Sequence, residues 1–419
     1  MDDSRCNIPS DFNGSFQGIV SENARSMYRS VDWIAWLVYV VPTLIASIFG
    51  SRNTAGRSTA SALISLSRGV KLSLQWSINK DDLKEIEKSF DDWFKYLDSC
   101  LVSQTISRTI LKYNMHQLHH IPYMIKRMGP LRCYSARSLE RSIGAYKKRI
   151  RSTMHPGVNA GNIMETREIF KFFQLSNIFD FSALTAVANN PNNYMSHPNN
   201  DPNSPQLWSP FHVSDAGSLV VLKLVQKLAL DKTSCIKGDI RTLPWLKALM
   251  DCLSRMVGSK QVNIPNFFLR QEVIISAKLF FDNQVYISSM SKEKNKSSSR
   301  GGEHVMFTAV HKNSRFSSVS NWYVCKVLFF FRFQMFEERQ GSHYVYGELM
   351  RTHGVSPYSK SVPRVQPFNG TDKKFVVFDA EDIVSVVGLL KEAGDESTFQ
   401  YVLRTGDAFE KDMSATAGQ

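Results

Sequence analysis

Cysteine is sparse and scattered: six in 419 residues (Cys6, Cys100, Cys133, Cys235, Cys252, Cys325), with no C-x-x-C pair. That spacing excludes a dense disulfide framework and reads as a reduced, intracellular chain. Internal repeats are absent. No G-x-S-x-G nucleophile elbow occurs, and the glycines near Gly301 match no phosphate-binding loop. The first ten residues, MDDSRCNIPS, are polar and acidic, without the pattern of a secretory signal; the expectation is a nuclear protein.

Acidic residues are in short supply as well. Against 51 Lys and Arg stand 38 Asp and Glu, a net charge of +13. This favours a polyanionic partner, nucleic acid first and an anionic membrane surface second. Hydrophobic content of 43% and charged content of 21% are those of a folded chain. Its length allows two or three domains and a large core.

A single long run has no charge at all: WIAWLVYVVPTLIASIFG, residues 33 to 50. Eighteen such residues reach the length of a membrane-crossing helix. Pro42 in the middle, the hydroxyls of Thr43 and Ser47, and Asp32 at the entrance favour a buried helix pair in a large core instead, and no membrane partner is expected.

Periodicity gives an α+β reading: a mainly helical N-terminal two thirds and a small β-rich C-terminal domain. The expected divisions are a helical region at 1–155, a mixed helical region at 156–290 and a β-rich domain at 303–395, with 396–419 as a tail. The mixed region carries an Asn- and Pro-rich linker near 188–206; a second, basic linker, SKEKNKSSSRGG, covers 291–302. Asn79 opens a helix in which Leu83, Ile86, Phe90, Phe94 and Leu97 recur at helical spacing. Another helix is expected over 104–113. Asn114 then caps a histidine-bearing helix that Pro122 bends and Gly129-Pro130 ends. In YVCKVLFFFRFQMF, alternate residues from Tyr323 to Phe333 read as a half-buried strand.

The basic charge is concentrated. Residues 101–155 hold eleven Lys and Arg and one acid, Glu140. Within SARSLERSIGAYKKRIR, Ser135 is a good N-cap. At about 100° per residue, Leu139, Ile143, Tyr146 and Ile150 share one apolar face, and Arg137, Arg141, Lys148 and Arg151 line the other. Glu140 falls at the border. One reading pairs it with Arg137, Arg141 or Lys147, worth tenths of a kcal/mol each; the other keeps it for chemistry at a metal or phosphate. His116 and His120, four apart, project from one side of a helix and can share a metal, with His119 turned about 100° away. The same spacing also arises by chance. The basic strip is either a solvated face or a phosphate-binding one.

In order, these segments resemble the C-terminal half of a CACTA (En/Spm-like) DNA transposase. The carriers are IPSDF (Ile8 to Phe12), the W-x-x-W apolar block VDWIAWLVYVVPTLI, the amphipathic DDLKEIEKSFDDWFKYL and, most specifically, HQLHHIPYMIKRMGPLRCYSARSLERSIG. Together they span roughly residues 5 to 155. The resemblance implies an RNase H-like core interrupted by a helical insertion, with two Asp and one Glu as catalytic acids and a zinc held by paired Cys and paired His. It implies that Glu140 is the third acid, His116 and His120 are zinc ligands, and Arg137, Arg141, Lys147 and Lys148 contact DNA phosphates. The implied cofactors are Mg²⁺, in a complete active site, and Zn²⁺; the implied partners are DNA and other transposase chains. In such enzymes two Mg²⁺ about 3.5–4 Å apart activate the attacking oxygen and stabilise the leaving one. This sequence departs from the pattern: the two Asp and the Cys pair belong upstream of the IPSDF-like segment, which only seven residues precede. The expectation is therefore a truncated transposase that binds DNA but does not cleave it alone. The alternative is a non-catalytic, transposon-derived interaction or scaffold protein.

Overall fold

The computed structural model describes residues 5–9, 12, 28–134, 143–144, 147, 149–150, 154–176, 204–208, 211–213, 244–257, 273–282, 284–290, 301–312, 318–333, 342–368, 372–392 and 398–404. Helix and sheet are mixed, consistent with an α+β protein.

The uncharged run forms α1, Ser30–Gly50. Its first turn is closed by Asp32, whose carboxylate accepts from the Arg29 backbone N–H and from Arg29 Nε, both at 3.0 Å. Pro42 does not break the helix. The stretch Trp36–Ile45 widens into π-helical geometry, a usual way to absorb a residue that cannot donate to the ladder. Thr43 Oγ1 adds donation to the carbonyls of Tyr39 (2.6 Å) and Val40 (3.2 Å). By length and composition α1 could cross a membrane. Here Ala35, Val40 and Leu44 pack against sheet residues Leu390, Tyr401 and Leu403.

Three helices follow: α2, Thr54–Ser73; α3, Lys80–Val102; and α4, Tyr113–Met128. Helix α3 starts as its sequence predicts. Asn79 Oδ1 accepts from the N–H groups of Asp81 and Asp82, both at 2.8 Å, and the Asp82 carboxylate answers the Asn79 N–H at 2.9 Å. Ile86, Phe90 and Leu97 are buried, as is Trp93. The expected helix at 104–113 is instead a short 3₁₀ turn, Arg108–Ile110. Gln104 before it has φ of 54°, a left-handed conformation that cannot continue a helix.

At Gly69, α2 packs directly against Phe90 of α3. A Cβ there would lie 2.8 Å from Phe90 Cε1 and 3.1 Å from Cδ1. Because Phe90 is buried among Leu72, Ile86 and Ile125, its ring has little room to retreat. Gly69→Val should therefore lower stability by about 1–3 kcal/mol through overpacking, read as a shift in the urea midpoint at unchanged slope.

The strands are β1, Arg5–Asn7; β2, Gln206–Trp208; β3, Phe211–Val213; β4, Val273–Ser276; β5, Lys278–Phe281; β6, Gln284–Ile287; β7, His304–Lys312; β8, Ser318–Phe333; β9, Ser342–Leu349; β10, Arg351–Val355; β11, Pro363–Gln366; β12, Lys374–Asp379; β13, Ile383–Lys391; and β14, Gln400–Arg404. The main sheet runs β10-β11-β14-β13-β7-β8-β4-β3, with β1 on β13 and β12-β9 on β8; β2-β5-β6 form a second, small sheet. All pairings are antiparallel. The β structure thus extends beyond the expected 303–395 in both directions, with β2 to β6 before it and, inside the expected tail, β14.

The sixteen-residue β8 is the spine, pairing with β7, β9 and β4. Its alternation is real but shifts midway. Cys325 and Val327 point into one cluster with Phe307, Val345 and Phe378; Trp322 and Val324 point into another with Val387 and Val402. A bulge against β9 between Val327 and Phe329 moves the pattern by one residue, so Phe330 continues the first face. Phe329 and Phe331 then meet Trp245, at 6.2 and 5.8 Å between ring centroids, on the helix Pro244–Val257. Both faces of this strand are buried, where a half-buried strand was expected.

Candidate functional site

The site is built on α4. Its apolar residues Met115, Leu118, Ile121 and Ile125 pack onto α2 and α3. The helix begins after Lys112, which makes no side-chain cap, and not at Asn114. Pro122 lies inside it and is buried, and Gly129 ends it with φ of 82°, a left-handed stop that glycine adopts without strain.

On the solvent side His116, His120, Tyr123 and Arg127 follow at spacings of four, three and four, so they form one exposed stripe. Both histidines are exposed, and their Nε2 atoms stand 3.1 Å apart, with the rings edge to face at 4.7 Å. Two arrangements suit that spacing. One Nε2–H can donate to its neighbour, or both nitrogens can face one cation. Two imidazoles on a tetrahedral zinc with bonds near 2.0–2.1 Å would hold their nitrogens about 3.3 Å apart, so the pair fits two corners of such a site. His119 does not join them: its ring lies flat on Phe94 of α3 at 3.7 Å and 14°. No cluster of three or more His, Cys, Asp or Glu that could hold a metal occurs among the described residues. Two histidines alone make half of a tetrahedral ligand set.

Two cation–ring pairs are exposed as well. Arg127 lies over Tyr123 at 5.4 Å and Arg132 over Trp76 at 5.2 Å. Trp76 is 62% exposed and Tyr123 59%, so these pairs remain open to a ligand. No acid lies between Leu101 and Tyr134. Lys147 is exposed. Glu140, Arg137, Arg141 and Lys148 lie outside the described residues.

The continuation of the histidine spacing into Tyr123 and Arg127 is visible in the sequence, although attention to metal ligands alone passes over it. The Arg132–Trp76 pair carries no such signal, because Trp76 lies in the loop between α2 and α3 and Arg132 in the 3₁₀ turn Leu131–Tyr134 after α4. No protein-family model, curated protein or solved structure is significantly similar to this chain.

Proposed function

We propose that this chain is a CACTA-type transposase fragment whose own activity is binding duplex DNA through phosphates. The observation that carries the reading is the α4 stripe, in which an imidazole pair 3.1 Å apart continues into Tyr123 and Arg127. It lies within a segment, 101–155, with eleven cations and one acid. Cations neutralise phosphates, and exposed rings beside them offer stacking or van der Waals surface to sugars and bases. The burial of α1 against the sheet supports a core helix over a membrane anchor.

In this reading Arg137, Arg141, Lys147 and Lys148 contact phosphates and His116 and His120 hold one side of a zinc that stiffens the helical region. Glu140 supplies one carboxylate to a magnesium centre. Bound Mg²⁺ would supply charge stabilisation at the scissile phosphodiester. One carboxylate cannot hold a metal pair, so cleavage and strand transfer belong to the proposal only where two aspartates join Glu140. The proposed setting is the nucleus, with DNA and other transposase chains as partners. The finer layout proposed is a helical, transposase-like N-terminal part joined to a β-rich C-terminal part.

Fluorescence anisotropy on duplexes of unrelated sequence tests this. The variant Arg137→Gln/Arg141→Gln/Lys147→Gln/Lys148→Gln should bind at least about tenfold more weakly at fixed salt, and by the same factor on every duplex. Equal affinities for variant and parent, with intact circular dichroism, would favour the scaffold reading.

A further inference from the structure

A second basic feature lies away from α4. Between α2 and the turn joining β10 to β11 is a cleft of about 290 Å³. From α2 it receives Ile64, Ser67, Arg68 and Lys71, spaced i, i+3, i+4 and i+7 and so on one helical face. The turn contributes Tyr358, Ser359, Lys360 and Ser361, and Pro42 of α1 completes the lining. Three of the nine lining residues are cationic, four carry hydroxyls and none is acidic.

The walls are held in place. Glu85 of α3 tethers Arg68 at 3.3 Å. In the turn, Ser359 and Ser361 share a hydrogen bond of 3.0 Å between their hydroxyls, and the buried Arg404 donates to the Ser361 carbonyl at 3.2 Å. Tyr358 packs so close to Gly50 that a Cβ there would collide with its ring, which fixes the turn against the end of α1.

We propose that this cleft binds a phosphate group. Arg68 is already paired with Glu85, so recognition falls to the other donors: an anion with several acceptor oxygens can accept from the ammonium groups of Lys71 and Lys360 and from the serine hydroxyls of the lining. The volume is at the small end for ligand pockets, about 300–1,000 Å³, and suits a phosphate and its immediate substituent, not a large cofactor. The inference rests on these residues and not on the DNA-binding reading. Its source is either a free phosphate compound or the backbone of a nucleic acid.

The test uses the full chain and inorganic phosphate, followed by ³¹P line broadening and calorimetry. Saturable binding is expected. Lys71→Gln/Lys360→Gln should weaken it at least about tenfold, Lys71→Arg/Lys360→Arg should largely restore it, and Lys84→Gln, on the exposed side of α3, should leave it unchanged. Lys360→Gln alone, on an exposed side chain, replaces the double variant if that one loses its circular-dichroism signal. Displacement of phosphate by a short duplex would identify the nucleic-acid backbone as the source; persistence at saturating duplex would identify a free compound. Absence of saturable binding up to about 20 mM phosphate overturns the proposal, as does binding that neither lysine variant alters.

Discussion

Truncating Phe12 to alanine should remove about 3–5 kcal/mol of stability, a large part of what a folded domain has to lose. Phe12 is 2% exposed. It meets Tyr39 of α1 edge to face at 5.1 Å and shares a cluster with Val40, Leu44, Leu390, Tyr401 and Leu403. Strand β1, just before it, is stitched to β13 through Arg5↔Leu390 and Asn7↔Leu389. One ring therefore joins the first described residues, the uncharged helix and the last two strands. The alanine variant leaves a cavity where three elements meet, and neither strand nor helix can close it without giving up its other contacts. Urea denaturation measures the effect. Phe170→Ala, on a ring 55% exposed, serves as control and should shift stability by under about 0.5 kcal/mol. A loss below about 1 kcal/mol for Phe12→Ala would show that the helix is not docked on the sheet.

The second large effect is acid lability. Burial drives the imidazoles of His343 and His353 down to about 4, with Arg332 adding to the shift at His343. His353 also uses its Nε2 lone pair, accepting the Val324 N–H at 3.0 Å between the rings of Trp322 and Tyr323. Protonation destroys that bond. A histidine whose folded value lies below its unfolded 6.5 contributes stability in full above pH 6.5 and loses it as pH falls toward 4. At pH 5 each costs about 2 kcal/mol, from about 1.4 kcal/mol per pH unit below 6.5. Asp382 works in the opposite direction. Partial burial, with Asp379 and Glu381 nearby, raises it to about 6, so its contribution is present at low pH and lost as pH rises through 6. Being exposed, it offsets only part of the histidine term. The melting temperature should fall between pH 7 and pH 5, and His353→Asn should flatten that dependence. An unchanged midpoint across this range would contradict the assigned neutral imidazoles.

Local chemistry was readable where one element carries its own signal. Asn79, Asp82 and the Ile86–Phe90–Leu97 face announce α3 without help from the rest of the chain, and the structure has them as the spacing predicts. Pro42 misleads because a breaker and a π-turn look alike in sequence; burial on the sheet decides between them. Strand β1 is three residues, RCN, too short for any period, and it exists because β13 offers an edge. The early strands β2 to β6 are three or four residues each and were hidden for the same reason within a region expected to be helical or mixed. In β8 the alternation was legible and the bulge was not, since nothing in LFFF marks where the register slips.

The site divides likewise. The four-residue spacing of His116 and His120 predicts their closeness, and helix geometry delivers it. Glu140 rests on resemblance and position, outside the described residues. The cleft between Arg68, Lys71 and Lys360 could not be seen, because residues almost 300 positions apart form it.

Salt titration of duplex binding tests the central claim most directly. If the basic strip neutralises phosphates, the logarithm of affinity falls linearly with the logarithm of salt concentration. Replacing Arg137, Arg141, Lys147 and Lys148 by glutamine should then reduce that slope by about 3–4, at roughly 0.9 per phosphate contact. Parallel lines for parent and variant, or affinity indifferent to salt, would contradict it.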